Sequence, residues 1–143
     1  MLDRVVEIAG AVREALASSN SWEPDLAGAC AVAAFTVARL LRRRGIPATF
    51  VLGDFTLVEE GCTTYGLLHC WTELDDGTVV VVTATQFGEV MPEVHVAQRD
   101  DRYRAAKRGR DAAVEVWAEW GHTRAEIETR GAPRIYASSC NAW

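Results

Sequence analysis

The sequence has little of what usually settles a function at first reading. It contains no C-x-x-C, and its four cysteines, Cys30, Cys62, Cys70 and Cys140, fall at spacings that match no standard zinc pattern. Neither a metal nor another cofactor is therefore expected. No apolar run is long enough for a membrane span, and the opening stretch MLDRVVEIAGAVREALASS carries acids where a signal peptide needs an apolar core. The expectation is a cytoplasmic chain, off the membrane, with reduced cysteines. Positive charge is not in excess: the net charge is −5 and the pI about 5.2, which argues against nucleic acid as a partner. The one basic run, Arg42-Arg43-Arg44, ends a helical pattern, where cations suit the last carbonyls. Internal repeats, low-complexity tracts and linkers are also missing. The 143 residues, 49% of them apolar, thus read as one domain with ample material for a core.

What is present has clear periodicity. Residues 2–18 place Leu2, Val5, Val6, Ala9, Val12 and Leu16 at helical spacing, with Arg4, Glu7, Arg13 and Glu14 on the other face. Residues 26–44, LAGACAVAAFTVARLLRRR, predict a second helix that is apolar all round until its last turn and is therefore buried. Asp25 is placed to cap its start and Gly45 to stop it. Residues 47–55 read as a strand and 56–65 as a loop. Residues 67–74 and 78–85 read as a hairpin around Asp75-Asp76-Gly77, with an edge strand at 93–97 to follow. Val79 to Val82 are apolar on both strand faces, as in a central strand. A helix is expected near residues 111–120, with Val114, Trp117 and Trp120 as contacts, within a C-terminal helical region spanning 101–130. The fold class is α+β: a buried central helix on a small antiparallel sheet, with flanking helices.

Two residues stand out chemically. A thiolate nucleophile needs a lowered pKa and a nearby base, and a helix N-terminus supplies partial positive charge and free N–H groups. Cys30 lies in the first turns of the buried helix, among Ala27, Gly28, Ala29 and Ala31, whose small side chains leave room for a substrate backbone. His69 lies on a hairpin strand. If Leu74 faces Thr78 across the turn, His69 faces Thr83 and Trp71 faces Val81, and that face must meet the head of the helix. Taken singly, a cysteine in an alanine-rich helix is a small hydrophobe and a histidine on a strand is core or surface. The order is more telling: cysteine at a helix start, strand, strand with histidine, turn, strand.

That order, with GACAVAAFTVARLLRRRGIPATFVLGDF and LHCWTELDDGTVVVVTATQF, resembles the transglutaminase-like branch of the papain-like cysteine enzymes. It is similar above all to small bacterial members such as the leader-peptidase domain of lasso-peptide maturation. The resemblance covers a core at 25–87 of a single domain at 1–143. It implies Cys30 as nucleophile and His69 as base in acyl transfer from an amide or thioester. The expected substrate is a peptide, a protein or a carrier-bound acyl group. In one respect the chain departs from the family. The acid usual on the strand after the histidine falls at Val81, and valine can neither orient an imidazole nor stabilise its charge. Three readings stay open: Thr83 orients the ring, Gln86 or Glu73 does, or the site is silent and the domain binds a peptide or protein.

The remaining candidates have plainer roles. Trp71 packs or lines a substrate groove, together with Gln86 and Gly28. Cys70 alternates away from His69 and reads as core, and Cys62 sits in a loop with nothing to activate it. Pairing of Cys62 with Cys30 or Cys70 carries little weight. Asp54, Glu59 and Glu60 read as solvated surface, and His95 and His122 as isolated residues.

Overall fold

The computed structural model describes residues 1–18, 29–59, 61–87 and 91–119. Helix α1 spans Leu2–Ser18 and α2 spans Cys30–Arg43. Strands follow at Ala48–Glu59 (β1), Cys62–Leu74 (β2), Thr78–Val81 (β3), His95–Gln98 (β4) and Tyr103–Arg108 (β5), and helix α3 at Gly109–Glu119 closes the series. A short 3-10 turn, Ala84–Phe87, lies between β3 and β4. The strands form one antiparallel sheet in the order β4-β3-β2-β1-β5.

Helix α2 starts later than its sequence pattern suggests. Its N-cap residue is Ala29, without a side-chain cap, and Cys30 is the first helical residue. The expected cap Asp25 lies outside the described residues. At the other end Gly45 adopts φ +74°, its N–H bonds the Arg42 carbonyl, and the Ile46 N–H bonds the Leu41 carbonyl, both at 3.0 Å. This left-handed glycine cap satisfies carbonyls the helix leaves unpaired. Arg42 also donates to the Ala48 carbonyl at 3.0 Å, so the basic run ties the helix end to β1.

In the expected loop at 56–65, residues 56–59 and 62–65 are strand instead. Strands β1 and β2 pair from Ala48↔Leu74 out to Glu59↔Cys62, with a tight turn at Gly61, φ +82°. Residues 56–58, Thr-Leu-Val, continue the β-rich run, and only the acids beyond them made it look like a loop. The β2–β3 turn is as expected: Gly77 has φ +87°, and the Asp76 carboxylate accepts from the Thr78 N–H at 2.9 Å. Its register, Thr72↔Val80 and Glu73↔Val79, continues the predicted Leu74–Thr78 alignment. Strand β4 is an edge strand, paired to β3 from Val81↔His95 to Thr78↔Gln98. The helical region expected from residue 101 begins as β5, so residues 103–108 are strand. On α3, Ala112, Ala113 and Val116 are buried and the expected Val114 packs against the same core, while the Trp117 side chain and Trp120 lie outside the described residues.

Two cores result. On one face of the sheet the three helices pack Val5, Val12, Leu16, Val37, Leu41 and Ala112 against Phe50, Leu52, Cys70, Val80 and Val82. On the other face Val51, Phe55, Leu57, Trp71, Val79, Val81 and Tyr103 form a second, aromatic cluster. The sheet curls around that second cluster. His95 on edge strand β4 stacks on Tyr103 of the opposite edge strand β5, with ring centroids 6.1 Å apart. Glu73 on β2 receives Arg99, beyond β4, at 3.2 Å and Arg108 of β5 at 3.1 Å, which joins the two edges again. No helix among the described residues is long and apolar enough to cross a membrane.

Candidate active site

Cys30 occupies the first position of α2. The N–H groups of a helix's first turn have no acceptor within the helix, and the dipole gives that end partial positive charge. The Ala33 N–H is taken by the Ala29 carbonyl at 2.9 Å, and the N–H groups of residues 30–32 meet no acceptor among the described residues. The thiol is half-buried. Its pKa lies well below the ordinary thiol range. The main cause is a side-chain hydrogen bond from Cys70; a hydrogen bond to His69, the charge of that ring and the Cys70 backbone act in the same direction, while burial opposes them. The Cys30 thiol thus lies within electrostatic reach of His69, 39 positions along the chain, and of Cys70 beside it.

The route to this contact differs from the expected one. The body of α2 packs on the Cys70 face of β2, not on the His69 face. Cys70 belongs to the helix-side core, and the Thr72 hydroxyl donates to the Ala34 carbonyl at 2.7 Å. His69 points into the aromatic face. Its ring lies 4.9 Å from Phe87 in an edge-to-face arrangement, 5.9 Å from Phe55 and 6.0 Å from Trp71. Just before His69 the β1–β2 register slips: Gly53 pairs with His69 but Phe55 pairs with Gly66, so two β2 residues oppose one on β1. Such a bulge increases local twist and re-aims side chains. It sits where the head of α2 meets both His69 and Cys70.

Gly66 fixes the wall beside the imidazole. A Cβ there would lie 2.5 Å from two carbons of the Phe87 ring, so only glycine lets that ring rest against the strand and reach His69. Gly53, opposite His69, is equally constrained, since a Cβ would collide with the Arg104 carbonyl and the Trp71 ring.

The candidates for a third member have hydrogen-bond or ion-pair partners of their own. Thr83 is buried, but the β2–β3 ladder stops at Thr72↔Val80, and Thr83 leads into the 3-10 turn; its hydroxyl accepts from Gln86 Nε2 at 3.4 Å. Gln86 is therefore engaged with Thr83. Glu73 is committed elsewhere: one oxygen takes Arg99 and Arg108, and the other takes the Trp71 indole N–H at 3.2 Å. Val81 is buried in the same aromatic cluster that lines the His69 face. His69 Nε2 is buried without a hydrogen-bond partner among the described residues. Trp71 is fully buried, so it packs and lines no open groove. Gly28 lies outside the described residues, as do His122 and Cys140.

Sequence reasoning missed Cys70 as a site residue. Strand alternation sends its side chain away from that of His69, and nothing local reveals that the helix head contacts both. Phe55 and Phe87 were also missed; their only sequence signal was their aromatic character. His95 is more than an isolated residue: its ring stacks on Tyr103, and burial together with the Arg102 charge lowers its pKa, against the effect of Asp100.

Residues 2–92 match the family model of the transglutaminase-like superfamily, which takes in helix α1 and the sheet through β3 as well as the cysteine–histidine core. No curated protein and no solved structure matches the chain. The match covers well over half the sequence, and an α+β fold with a curled antiparallel sheet agrees with it: the chain belongs to the transglutaminase-like superfamily, in which catalysis generally runs through a cysteine.

Proposed function

We propose that the chain is a cysteine-nucleophile acyl-transfer enzyme acting on an amide or thioester of a peptide, protein or carrier-bound substrate. The observation that carries this reading is the Cys30 thiol at the head of α2, held well below the ordinary thiol range with Cys70 and His69 as causes. The thiolate attacks the carbonyl carbon, and its proton rests on His69. The open N–H groups at residues 30–32 receive the developing oxyanion. The tetrahedral species collapses as His69 protonates the leaving amine or thiol, which leaves an acyl group on Cys30. Water, or an amine from a second substrate, then attacks the thioester with His69 as base and releases the sulfur.

Aromatic packing takes over the role usually given to an acid. Phe87, Phe55 and Trp71 confine the ring on three sides. A ring positioned by packing still accepts a proton, but its charged form receives less stabilisation than a carboxylate would give.

The reading is tested by alkylation with iodoacetamide from about pH 5 to 9, with the labelled cysteine mapped by mass spectrometry. Selective labelling of Cys30 at about pH 6, weakened in His69→Gln, is the expected result. Labelling of Cys62 first, with Cys30 reached only after unfolding, overturns it. A second reading, a silent domain that binds a peptide or protein, draws on Val81 and on His69 Nε2, which has no partner among the described residues. It predicts peptide binding undiminished by Cys30→Ala and no acyl-enzyme with thioester substrates.

A further inference from the structure

We propose that Arg13 of helix α1 is a positioning residue for His69: its guanidinium holds the turn at residues 82–87, and Phe87 at the end of that turn keeps the imidazole in place. The proposal rests on the reading of His69 as the base for Cys30 and adds a residue outside that pair.

The hydrogen bonds carry it. Arg13 lies on the polar face of α1, yet it is half-buried. Its Nη1 donates to the Val82 carbonyl at 2.8 Å and to the Thr85 hydroxyl at 3.0 Å. No acid pairs with it among the described residues. A guanidinium partly withdrawn from water gives up hydration, and here it does so for two neutral acceptors on one turn. Bonds with a charged donor are about twice as strong as neutral ones. The guanidinium also stays protonated, so its hold does not vary with pH.

The held segment joins the two cores. Val82 belongs to the helix-side core, and Ala84 and Phe87 to the aromatic cluster, so the turn passes from one face of the sheet to the other. Its own closure is long: the Gln86 N–H reaches the Thr83 carbonyl at 3.2 Å, and Gln86 Nε2 reaches the Thr83 hydroxyl at 3.4 Å. At its end the Phe87 ring lies over Gly66, 4.6 Å from Phe55, and edge-to-face with His69 at 4.9 Å. His69 Nε2 has no hydrogen-bond partner among the described residues, so that nitrogen does not fix the ring and the aromatic walls take a larger share. Phe55 and Trp71 stand on β1 and β2, which the sheet itself holds. Phe87 alone of the three comes from a turn, and Arg13 anchors that turn from behind.

The test compares Arg13→Met, Arg13→Lys, Phe87→Leu and the double variant Arg13→Met with Phe87→Leu. Val12→Ala serves as a control that loosens the packing of α1 without removing a bond to the turn. Two quantities are read on the whole chain: the imidazole Cε1–H resonance of His69 by NMR, assigned with His69→Gln, and the rate of iodoacetamide alkylation at Cys30 from about pH 5 to 9. Arg13→Met should move the His69 resonance about as far as Phe87→Leu does, and the double variant no further than Phe87→Leu alone. Arg13→Lys, which keeps the charge but has no fork to reach both acceptors, should fall between wild type and Arg13→Met, and it carries the comparison should Arg13→Met fail to fold. Val12→Ala should leave the resonance in place. Alkylation of Cys30 at about pH 6 should fall about tenfold in Arg13→Met and stay near wild type at about pH 9, where the thiolate forms without help. A His69 resonance unmoved in the Arg13 variants, or a double variant whose shift is the sum of the two singles, overturns the proposal. Wild-type alkylation separates it from the reading it rests on. If Cys30 labels at about pH 6 equally in wild type and Arg13→Met, the acyl-transfer reading stands and this one falls. If wild-type Cys30 labels only after unfolding while the His69 resonance still follows Arg13, the acyl-transfer reading falls and the hold of Arg13 on His69 stands.

Discussion

The two faces of the sheet are built by different rules. The helix side is mainly aliphatic: Val, Leu, Ile and Ala fill most of it beside the Phe35–Phe50 pair, and its buried Thr72 hydroxyl has a partner in the Ala34 carbonyl. The inner face is aromatic and incomplete. It holds Phe55, Trp71, Phe87 and Tyr103, and three buried polar atoms there, His69 Nε2, His95 Nε2 and the Tyr103 hydroxyl, have no partner among the described residues. Buried polar groups are ordinarily satisfied, so exceptions gathered on one face mark where the chain gives up local stability. Burial raises the Tyr103 pKa far above the ordinary phenol range, which keeps that hydroxyl neutral. One face holds the fold together, and the other holds the imidazole. Cys30 sits where they meet.

Breaking the chemistry at that junction has the largest expected effect. Cys30→Ala should lower turnover of a thioester substrate by about a thousandfold or more, with the circular dichroism spectrum unchanged. The same variant tests the thiolate thermodynamically. A folded-state pKa below the unfolded one means that the unfolded chain binds more protons between the two values, so stability rises with pH across that window. The contribution is fully present above the ordinary thiol range and is lost as pH falls through the folded value. The Tm gap between wild type and Cys30→Ala should therefore widen towards about pH 9; a gap constant with pH contradicts the depressed thiol.

His69→Gln comes next. It should cost about 10²–10⁴-fold in rate and reduce labelling of Cys30 at mildly acidic pH, since the ring supplies the base and part of the charge favouring the thiolate. Glu73→Ala probes the inner face as structure rather than chemistry. It leaves two arginines and the Trp71 indole without their shared buried acceptor, for a loss of about 3 kcal/mol by urea denaturation. Rate constants per folded molecule should be unaffected, because no Glu73 oxygen reaches His69.

Smaller effects sharpen the contrast. Gly66→Ala forces the Phe87 ring off the strand and should cost about 1–3 kcal/mol in stability. Because Phe87 also walls the imidazole, turnover should fall with it, which a purely structural glycine would not cause. Thr83→Val removes one long hydrogen bond from Gln86 and should cost under about 1 kcal/mol, with a pH–rate profile like wild type. A shifted profile would restore Thr83 as the orienter of His69.

The elements were legible because their signals are local. Helical spacing gave α1, Gly45 gave the end of α2, and Asp75-Asp76-Gly77 gave a turn whose register the structure keeps. The nucleophile and base candidates were legible as well, since a cysteine at a helix head and a histidine on a strand are properties of single segments. The strand at 56–59 was not, because acids near a turn look like loop until a partner strand pairs with them.

By itself the sequence determined which segments form and which side chains each one carries, because periodicity and turn chemistry act over a few residues. Only the tertiary structure decided that Cys70 and His69 both act on the Cys30 thiol, that Glu73 takes two arginines and the Trp71 indole, and that Thr83 receives Gln86 at the start of the 3-10 turn. Those outcomes depend on a bulge beside His69 and on a sheet that curls until its edges meet. Both are long-range consequences of pairing and packing, and alternation along a single strand cannot encode them.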